Sequence, residues 1–477
     1  MSMTTPIVDF VARYASSGTS RLHMPGHKGQ NFLGCEAYDI TEIKGADELY
    51  EAEGIIAQSE ANATKLFGTV CTCYSTEGSS QCIRAMLFLT LQAAPRTEKR
   101  PVLLAARNAH KALLYAAALL DFDIRWLWPA PEEMGELCSC PVHPDALAAA
   151  LDELAEEGRT PFGVYLTSPD YLGGVQDIAA LAAVCRPLDI PLLVDNAHGA
   201  YLHFLPDGSR HPIALGAAMC CDSGHKTLPV LTGGAYLHLG PTAPVQDEQA
   251  VRGALALFGS TSPSYLILQS LDCCNRYLED GYPVRLAHCL DALARLRQEL
   301  NALAAAAGAQ GKFALDDADR EPLKVTLDAS VLGLTGVQLA EILRAGGMEC
   351  EYADPRYLVL MFTPENSPRD YERLTAVLRG FCANRPARLS EGARPGAAAD
   401  FAALMQEAKQ SCTIRESVFA PQERIPCAAA MGRVCAMPAV SCPPAIPIAV
   451  SGEVIGPAAV RLFERYGIET VAVTKEI

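Results

Sequence analysis

Pro191-Leu192-Leu193-Val194-Asp195-Asn196-Ala197-His198 is the stretch from which the fold can be read. A short apolar run ends on an acid, and the next such run, Ala217 to Cys221, leads into Asp222-Ser223-Gly224-His225-Lys226. Runs this short, without alternation of apolar and polar residues, are expected of strands buried on both faces. Working outward, Val102 to Ala105, Gly163 to Leu166, Ile190 to Val194 and Gly234 to Leu239 read the same way, with helical patterns such as Pro144 to Glu157 and Ile178 to Cys185 between some of them. Strands alternating with helices predict an α/β fold with a mostly parallel central sheet and helices on both faces. Ligands of such sheets sit at the carboxyl ends of the strands. Asn108, His110, Ser168, Asp195, His198, Ser223, His225 and Lys226 all fall there.

The flanks give the domain plan. Residues 1–35 read as an N-terminal arm with a short helix, Ile7 to Tyr14, and a turn at Pro25-Gly26. A large domain is expected over 36–307, ending in a Leu/Ala-rich helix from Arg285 to Ala307. Strand, helix, strand and helix follow at Leu323–Leu327, Gly336–Ala345, Tyr357–Phe362 and Asp370–Cys382, predicting a smaller C-terminal α/β domain over 308–477 with a linker near 385–399.

Composition narrows the function classes. With 477 residues, 50% hydrophobic and 20% charged, the chain reads as an ordinary soluble globular protein. No apolar run approaches the length that crosses a bilayer, and the first residues lack a basic start and apolar stretch, so a cytoplasmic location and no membrane partner are expected. A net charge of −16 without a basic stripe argues against nucleic acid. The 18 cysteines include no Cys-x-x-Cys, and most sit in apolar stretches. They are expected to fill core as reduced thiols, with no metal site.

The chemistry gathers at the strand ends. An acid after one apolar run and a His-Lys pair after the next is a recurring arrangement in pyridoxal phosphate (PLP) enzymes, where the lysine forms a Schiff base and the acid keeps the pyridine nitrogen protonated. The bland alternatives are a solvated lysine loop and an aspartate that caps a helix. Gly78, Ser79 and Ser80 open an apolar helix from Gln81 to Leu91, suiting a phosphate, although serines are also routine caps. His110 can stack on a cofactor ring or be structural, and His198 can line the site or cap a turn. His23 and His27 are four apart, but Pro25-Gly26 between them breaks any helix, so a turn is preferred to a metal site. Asp39, Glu42, Asp47 and Glu48 form an acidic loop that either attracts a cationic substrate or is simply solvated.

Together these segments resemble the Orn/Lys/Arg decarboxylase family of PLP-dependent fold type I enzymes. The matching pieces, in family order, are Leu22 to Lys28, Asp39-Ile40-Thr41-Glu42, Glu77 to Ser80, Arg107 to Lys111, Thr167 to Tyr171, Val194 to Gly199, Ser223 to Pro229 and Ser260 to Tyr265. The length is similar to that of the short form, without the N-terminal receiver-like domain. The resemblance implies an internal aldimine on Lys226, Asp195 on the pyridine nitrogen and His110 on the ring. It implies Ser79, Ser80, Ser223 and His225 on the phosphate, Ala197 and His198 lining the cofactor, and Ser262 or Ser264 reaching in from a partner subunit. Homodimers or higher homo-oligomers with shared active sites are implied as well. Glu453 matches a family segment near the substrate's distal end, and Asp47 is a second candidate for a cationic substrate. Three departures stand out: Asn196 where the family more often has Glu, Gly224 where Thr or Ala is common, and the segment 440–447.

The expected activity is decarboxylation of a basic amino acid, arginine first, then lysine or ornithine. The amino acid takes the place of Lys226, CO₂ leaves, the electron pair left on Cα is taken up by the pyridinium, and Lys226 or His225 protonates Cα. The rivals are another fold type I reaction (aminotransferase, aldolase or β-lyase) and a non-catalytic PLP-fold binding protein.

Overall fold

Leu192 to Asp195 is buried along its whole length and forms a strand, as its unbroken apolar run predicts. This is a computed structural model, and it describes residues 3–135, 137–384, 397–441 and 446–475. The strands are β1 (Cys71–Ser75), β2 (Val102–Ala106), β3 (Asp123–Leu127), β4 (Val164–Thr167), β5 (Leu192–Asp195), β6 (Met219–Asp222) and β7 (Ala235–Leu239). They form one seven-stranded sheet in the order β1-β7-β6-β5-β4-β2-β3. β2, β4, β5 and β6 pair in parallel, whereas β7 runs antiparallel to both β6 and β1. Thr167 pairs with Asp195 and Asp195 with Cys221, so the carboxyl ends of β4, β5 and β6 lie level.

The helices through this region are α1 (Pro6–Ser16), α2 (Ile55–Phe67), α3 (Ser79–Ala93), α4 (Lys111–Leu120), α5 (Pro144–Glu156), α6 (Ile178–Cys185), the single turn α7 (Gly224–Thr227), α8 (Glu248–Leu257), α9 (Tyr265–Glu279) and α10 (Tyr282–Ala306). α3 packs on β5, β6 and β7, and α6 on β5. No helix among the described residues is long and apolar enough to cross a membrane.

Two compact units divide the chain, and each is built from separated stretches. The first comprises 1–105, 143–168 and 177–284; the second comprises 106–142, 169–176 and 285–477. The sequence reading drew contiguous segments, 36–307 and 308–477. The second unit instead takes in 106–142 and 169–176 because its core joins them to the C-terminal residues: Met134, Leu137, Cys138 and Leu172 bury against Tyr352, Val359, Phe401, Ile448, Leu462, Phe463 and Val473. Its antiparallel sheet has the order β8 (Lys324–Asp328), β10 (Tyr357–Met361), β9 (Tyr352–Ala353). α11 (Gly336–Ala345) and α12 (Pro368–Ala383) start at capping boxes, Thr335 with Gln338 and Ser367 with Asp370. Of the linker expected at 385–399, residues 385–396 lie outside the described residues, and the remaining three open the helix Ala397–Glu407. In the C-terminal departure, 442–445 also lie outside the described residues.

The arm is tied down by one buried acid. Asp272 on α9 accepts the N–H groups of Ile7 and Val8 at the start of α1 at 2.9 and 3.0 Å, and the Ser59 hydroxyl at 2.6 Å. Burial outweighs these donors and pushes its pKa up to about 6 from 3.8. The folded chain thus holds this proton more tightly than the unfolded one. The stabilisation is fully present below pH about 4, is lost as pH rises to about 6, and stays lost above that. A rise of about 2 units corresponds to about 3 kcal/mol. Denaturation midpoints measured from pH 4 to 8 are expected to show Asp272→Asn gaining on the wild type up to about pH 6, then a constant gap. A gap independent of pH throughout would disprove this role.

Candidate active site

The level ends of β5 and β6 and the turn from β1 into α3 supply three polar turns within the first unit. β5 delivers Asp195, which is only 4% exposed. Its carboxylate accepts the Tyr165 hydroxyl (3.2 Å), the Ala197 N–H (3.2 Å) and the Cys221 thiol (3.7 Å). All three donors are neutral, and among the described residues no cationic side chain pairs with Asp195. A buried carboxylate served only by neutral donors suits a cation brought by a ligand, such as a protonated ring nitrogen.

β6 delivers Lys226 on the turn of α7, with its N–H bonded to the Ser223 carbonyl at 3.0 Å. Its Nζ lies 3.0 Å from Nε2 of His198, which enters from the loop after β5. His225 donates Nδ1–H to the Gly234 carbonyl at 3.0 Å, and its backbone N–H reaches the same oxygen at 3.2 Å. That carbonyl fixes the proton on Nδ1.

The third turn is the start of α3. Gly78 caps it at φ +72°, a conformation glycine adopts without strain, and its N–H donates to the Gly233 carbonyl at 2.7 Å. The first N–H groups of α3 have no acceptor within the helix. Beside them, the Ser223 hydroxyl donates to Ser79 Oγ at 2.9 Å. Two hydroxyls and a helix N-terminus in one place make a phosphate cradle. Aldehyde-seeking amine, ring-nitrogen acid and phosphate cradle thus occur together in one unit, and these residues fit pyridoxal phosphate.

Two of the sequence departures have local causes. A Cβ on residue 224 would come within 2.9 Å of the Tyr236 ring, so glycine is the residue that fits. Asn196 donates its side-chain N–H to Asp222 Oδ1 at 2.6 Å, where a glutamate would set two carboxylates against each other. Asp222 also lies 3.0 Å from His211 Nε2 and 3.2 Å from His238 Nε2, all three side chains being wholly buried. Burial pushes the Asp222 pKa up, but the two imidazoles prevail and hold it below the usual carboxylate range. His211, Cys220 and Asp222 put potential ligand atoms within 4.8 Å of one another. Asp222 thus accepts hydrogen bonds from Asn196 and His211, with the His238 ring beside it.

The other expected site residues have the following local settings. His110, in the second unit, caps α4: its Nδ1 accepts the Ala112 N–H at 3.2 Å, which puts its proton on Nε2. Ser264 caps α9 by accepting the Ile267 N–H, and Ser262 is exposed on the loop before it. That loop is anchored by Ser260 N–H on Glu77, two residues before the cradle serine Ser79. Asp47 is spent on backbone, accepting the N–H groups of Glu48, Glu53, Gly54 and Ile56 at 2.8–3.1 Å ahead of α2. Glu453, in the second unit, is buried against Arg107 at 3.2 Å and accepts the Val450 N–H at 2.8 Å. His23 bonds Tyr14 and His27 pairs with Asp39, so the two histidines serve different partners. Sequence reasoning missed Tyr165 and Asp222. An acid ending the run Met219-Cys220-Cys221, as Asp195 ends its own, was the available signal for Asp222.

Comparison with known proteins agrees with this geometry. Residues 5–314 match the family described as Orn/Lys/Arg decarboxylase, major domain. An arginine decarboxylase of Bacillus subtilis (strain 168) is 27% identical over 470 residues, covering 94% of this chain and 91% of that protein. An arginine decarboxylase of Halalkalibacterium halodurans is 24% identical over 472 residues, covering 94% and 91%. The solved structure of Escherichia coli constitutive lysine decarboxylase superposes with a TM-score of 0.79 at 18% identity, over 99% of this chain and 82% of that one.

Proposed function

Given that the chain belongs to the Orn/Lys/Arg decarboxylase family and is a decarboxylase of basic amino acids, we propose that arginine is its substrate, with agmatine and CO₂ as products, and that Lys226 carries the cofactor. The observation that carries this reading is that Asp195 and Lys226 follow from the adjacent strands β5 and β6, and that Ser223, before Lys226, bonds Ser79 at the start of α3. Arginine is favoured over lysine and ornithine because the two relatives named arginine decarboxylase each cover 94% of the chain.

When bound, the cofactor supplies an aldehyde that takes an amino group and a pyridinium that accepts the electron pair left by CO₂. The chain's own residues do the rest. Asp195 keeps the ring nitrogen protonated, and Tyr165 and Cys221 hold that carboxylate in place. Ser79, Ser80, Ser223 and the N-terminus of α3 fix the phosphate, which orients the ring. Ala197 and His198 would line the cofactor. Lys226 would hold the cofactor through its amine and is the candidate donor of the proton that Cα takes up. His225, anchored by Nδ1–H on the Gly234 carbonyl, is the other candidate for that proton transfer.

The reading includes a homodimer with shared sites, Ser262 or Ser264 serving the partner. The arm supports it, since Leu22, Phe32 and Leu33 are 94%, 81% and 86% exposed, an apolar surface a lone chain rarely shows. Purified protein with added pyridoxal phosphate is expected to release CO₂ from arginine at a kcat/KM at least about tenfold above lysine or ornithine, a margin of about 1.4 kcal/mol. Equal rates would sink the arginine assignment, and keto-acid formation without CO₂ would point to transamination.

A further inference from the structure

We infer that His198 is the proton acceptor of Lys226, the base that frees its amine for attack. The inference rests on the reading of Lys226 as the cofactor lysine. His198 is 4% exposed, and its Nε2 is 3.0 Å from Lys226 Nζ. A contact of that length between two nitrogens holds one hydrogen, so one nitrogen must present a lone pair. An ammonium has none to offer. Either Lys226 is charged and His198 Nε2 accepts, or His198 is charged and Lys226 is the free amine. Two cations at this distance repel each other, and burial of His198 disfavours the doubly charged pair further. When the pair carries one positive charge, moving the proton from Nζ to Nε2 converts the resting lysine into a nucleophile without expelling charge from the site.

His198 is the imidazole in contact with Nζ, and the acids and the histidine beside the pair have partners of their own. Asp195, on the same loop, receives Tyr165, Ala197 and Cys221. His225 directs Nδ1–H to the Gly234 carbonyl. Asp222 receives Asn196, His211 and His238. His198 is held by the register of the two strands that carry the pair, Asp195 of β5 opposite Cys221 of β6. Its loop turns tightly at Gly199, whose N–H bonds the Asn196 carbonyl at 2.8 Å and where a Cβ would collide with the Asn196 side chain.

The step balances. One N–H bond of the ammonium breaks and its electron pair stays on Nζ, while the Nε2 lone pair takes the proton. Nζ then bonds the aldehyde carbon, and the aldehyde oxygen leaves as water with the two remaining Nζ hydrogens. No oxidant or reductant is involved.

The test uses the full-length chain freed of cofactor. Pyridoxal phosphate is added at pH 6 to 10, and attachment to Lys226 is followed by borohydride trapping and peptide mass. In the wild type, the attachment rate is expected to rise through the imidazole range, near pH ~6.5, rather than the lysine range near ~10.4. His198→Gln and His198→Phe are expected to slow attachment at least tenfold at pH 7 and to approach the wild-type rate by pH 10, where hydroxide takes the proton instead. Wild-type attachment that rises only in the lysine range would overturn the inference, and this result needs no variant to fold. So would variants that match the wild type at every pH. Wild-type protein trapped at a residue other than Lys226 would instead refute the cofactor reading on which the inference rests.

Discussion

Lys226→Ala is expected to leave a folded chain that borohydride no longer links to pyridoxal phosphate and that releases CO₂ from arginine at least about a thousandfold more slowly. The size follows from two losses. The amine that holds the aldehyde and yields it to the substrate is gone, and so is the proton donor to Cα; a positioned acid or base of this kind is worth about 10²–10⁴ in rate. Binding of the cofactor is expected to weaken less than turnover, because the cradle of Ser79, Ser223 and the start of α3 is untouched, as is Asp195. A large effect on kcat with pyridoxal phosphate still retained would therefore fit the assignment. Activity within tenfold of the wild type would end it. Folding is checked in the same sample by circular dichroism. Lys226 is only half-buried, on a one-turn helix at a strand end, so its truncation empties little core.

Lys226 and Asp195 were legible because strand ends announce themselves: an apolar run buried on both faces has to stop, and the polar residues that stop it face a common edge of the sheet. Gly78-Ser79-Ser80 was legible for a related reason, as small hydroxyl residues opening an apolar helix. Tyr165 was not, since a tyrosine within Val164-Tyr165-Leu166 looks like any aromatic core residue until its hydroxyl is seen on Asp195. The pairing of Asp222 with His211 and His238 depends on how β6 and β7 meet and on a loop eleven residues upstream, and no local pattern encodes it. The division into units was hidden in the same way. Nothing within 106–142 or 169–176 reveals that Met134, Leu137 and Leu172 bury against residues some two to three hundred positions later. Local chemistry is written locally, whereas partners that meet only through the tertiary fold are not.

Glu453 is where local and tertiary readings lead to different experiments. By position it is a substrate residue; in the second unit its carboxylate sits 3.2 Å from the Arg107 guanidinium, with both side chains about 5% exposed. Arg107 also donates to the Pro447 and Ile448 carbonyls and lies about 5 Å from the ring centroids of Trp126 and Trp128. Burial pushes the Glu453 pKa up and Arg107 pulls it back. Glu453→Ala would leave a buried guanidinium without its counter-charge, a loss of about 3–5 kcal/mol. Glu453→Gln keeps an oxygen for the Val450 N–H and is expected to cost less. Replacing both partners by apolar residues, Arg107→Met with Glu453→Leu, should recover a good part of the loss, since the charge left stranded by the single change is then absent. Trp126 and Trp128 are the chain's two tryptophans, so the denaturation midpoint of tryptophan fluorescence reports this cluster directly. A midpoint falling as predicted, with KM for arginine little changed in the surviving enzyme, would make Glu453 a residue that holds the second unit together. An unchanged midpoint with KM raised tenfold or more would restore it to the substrate.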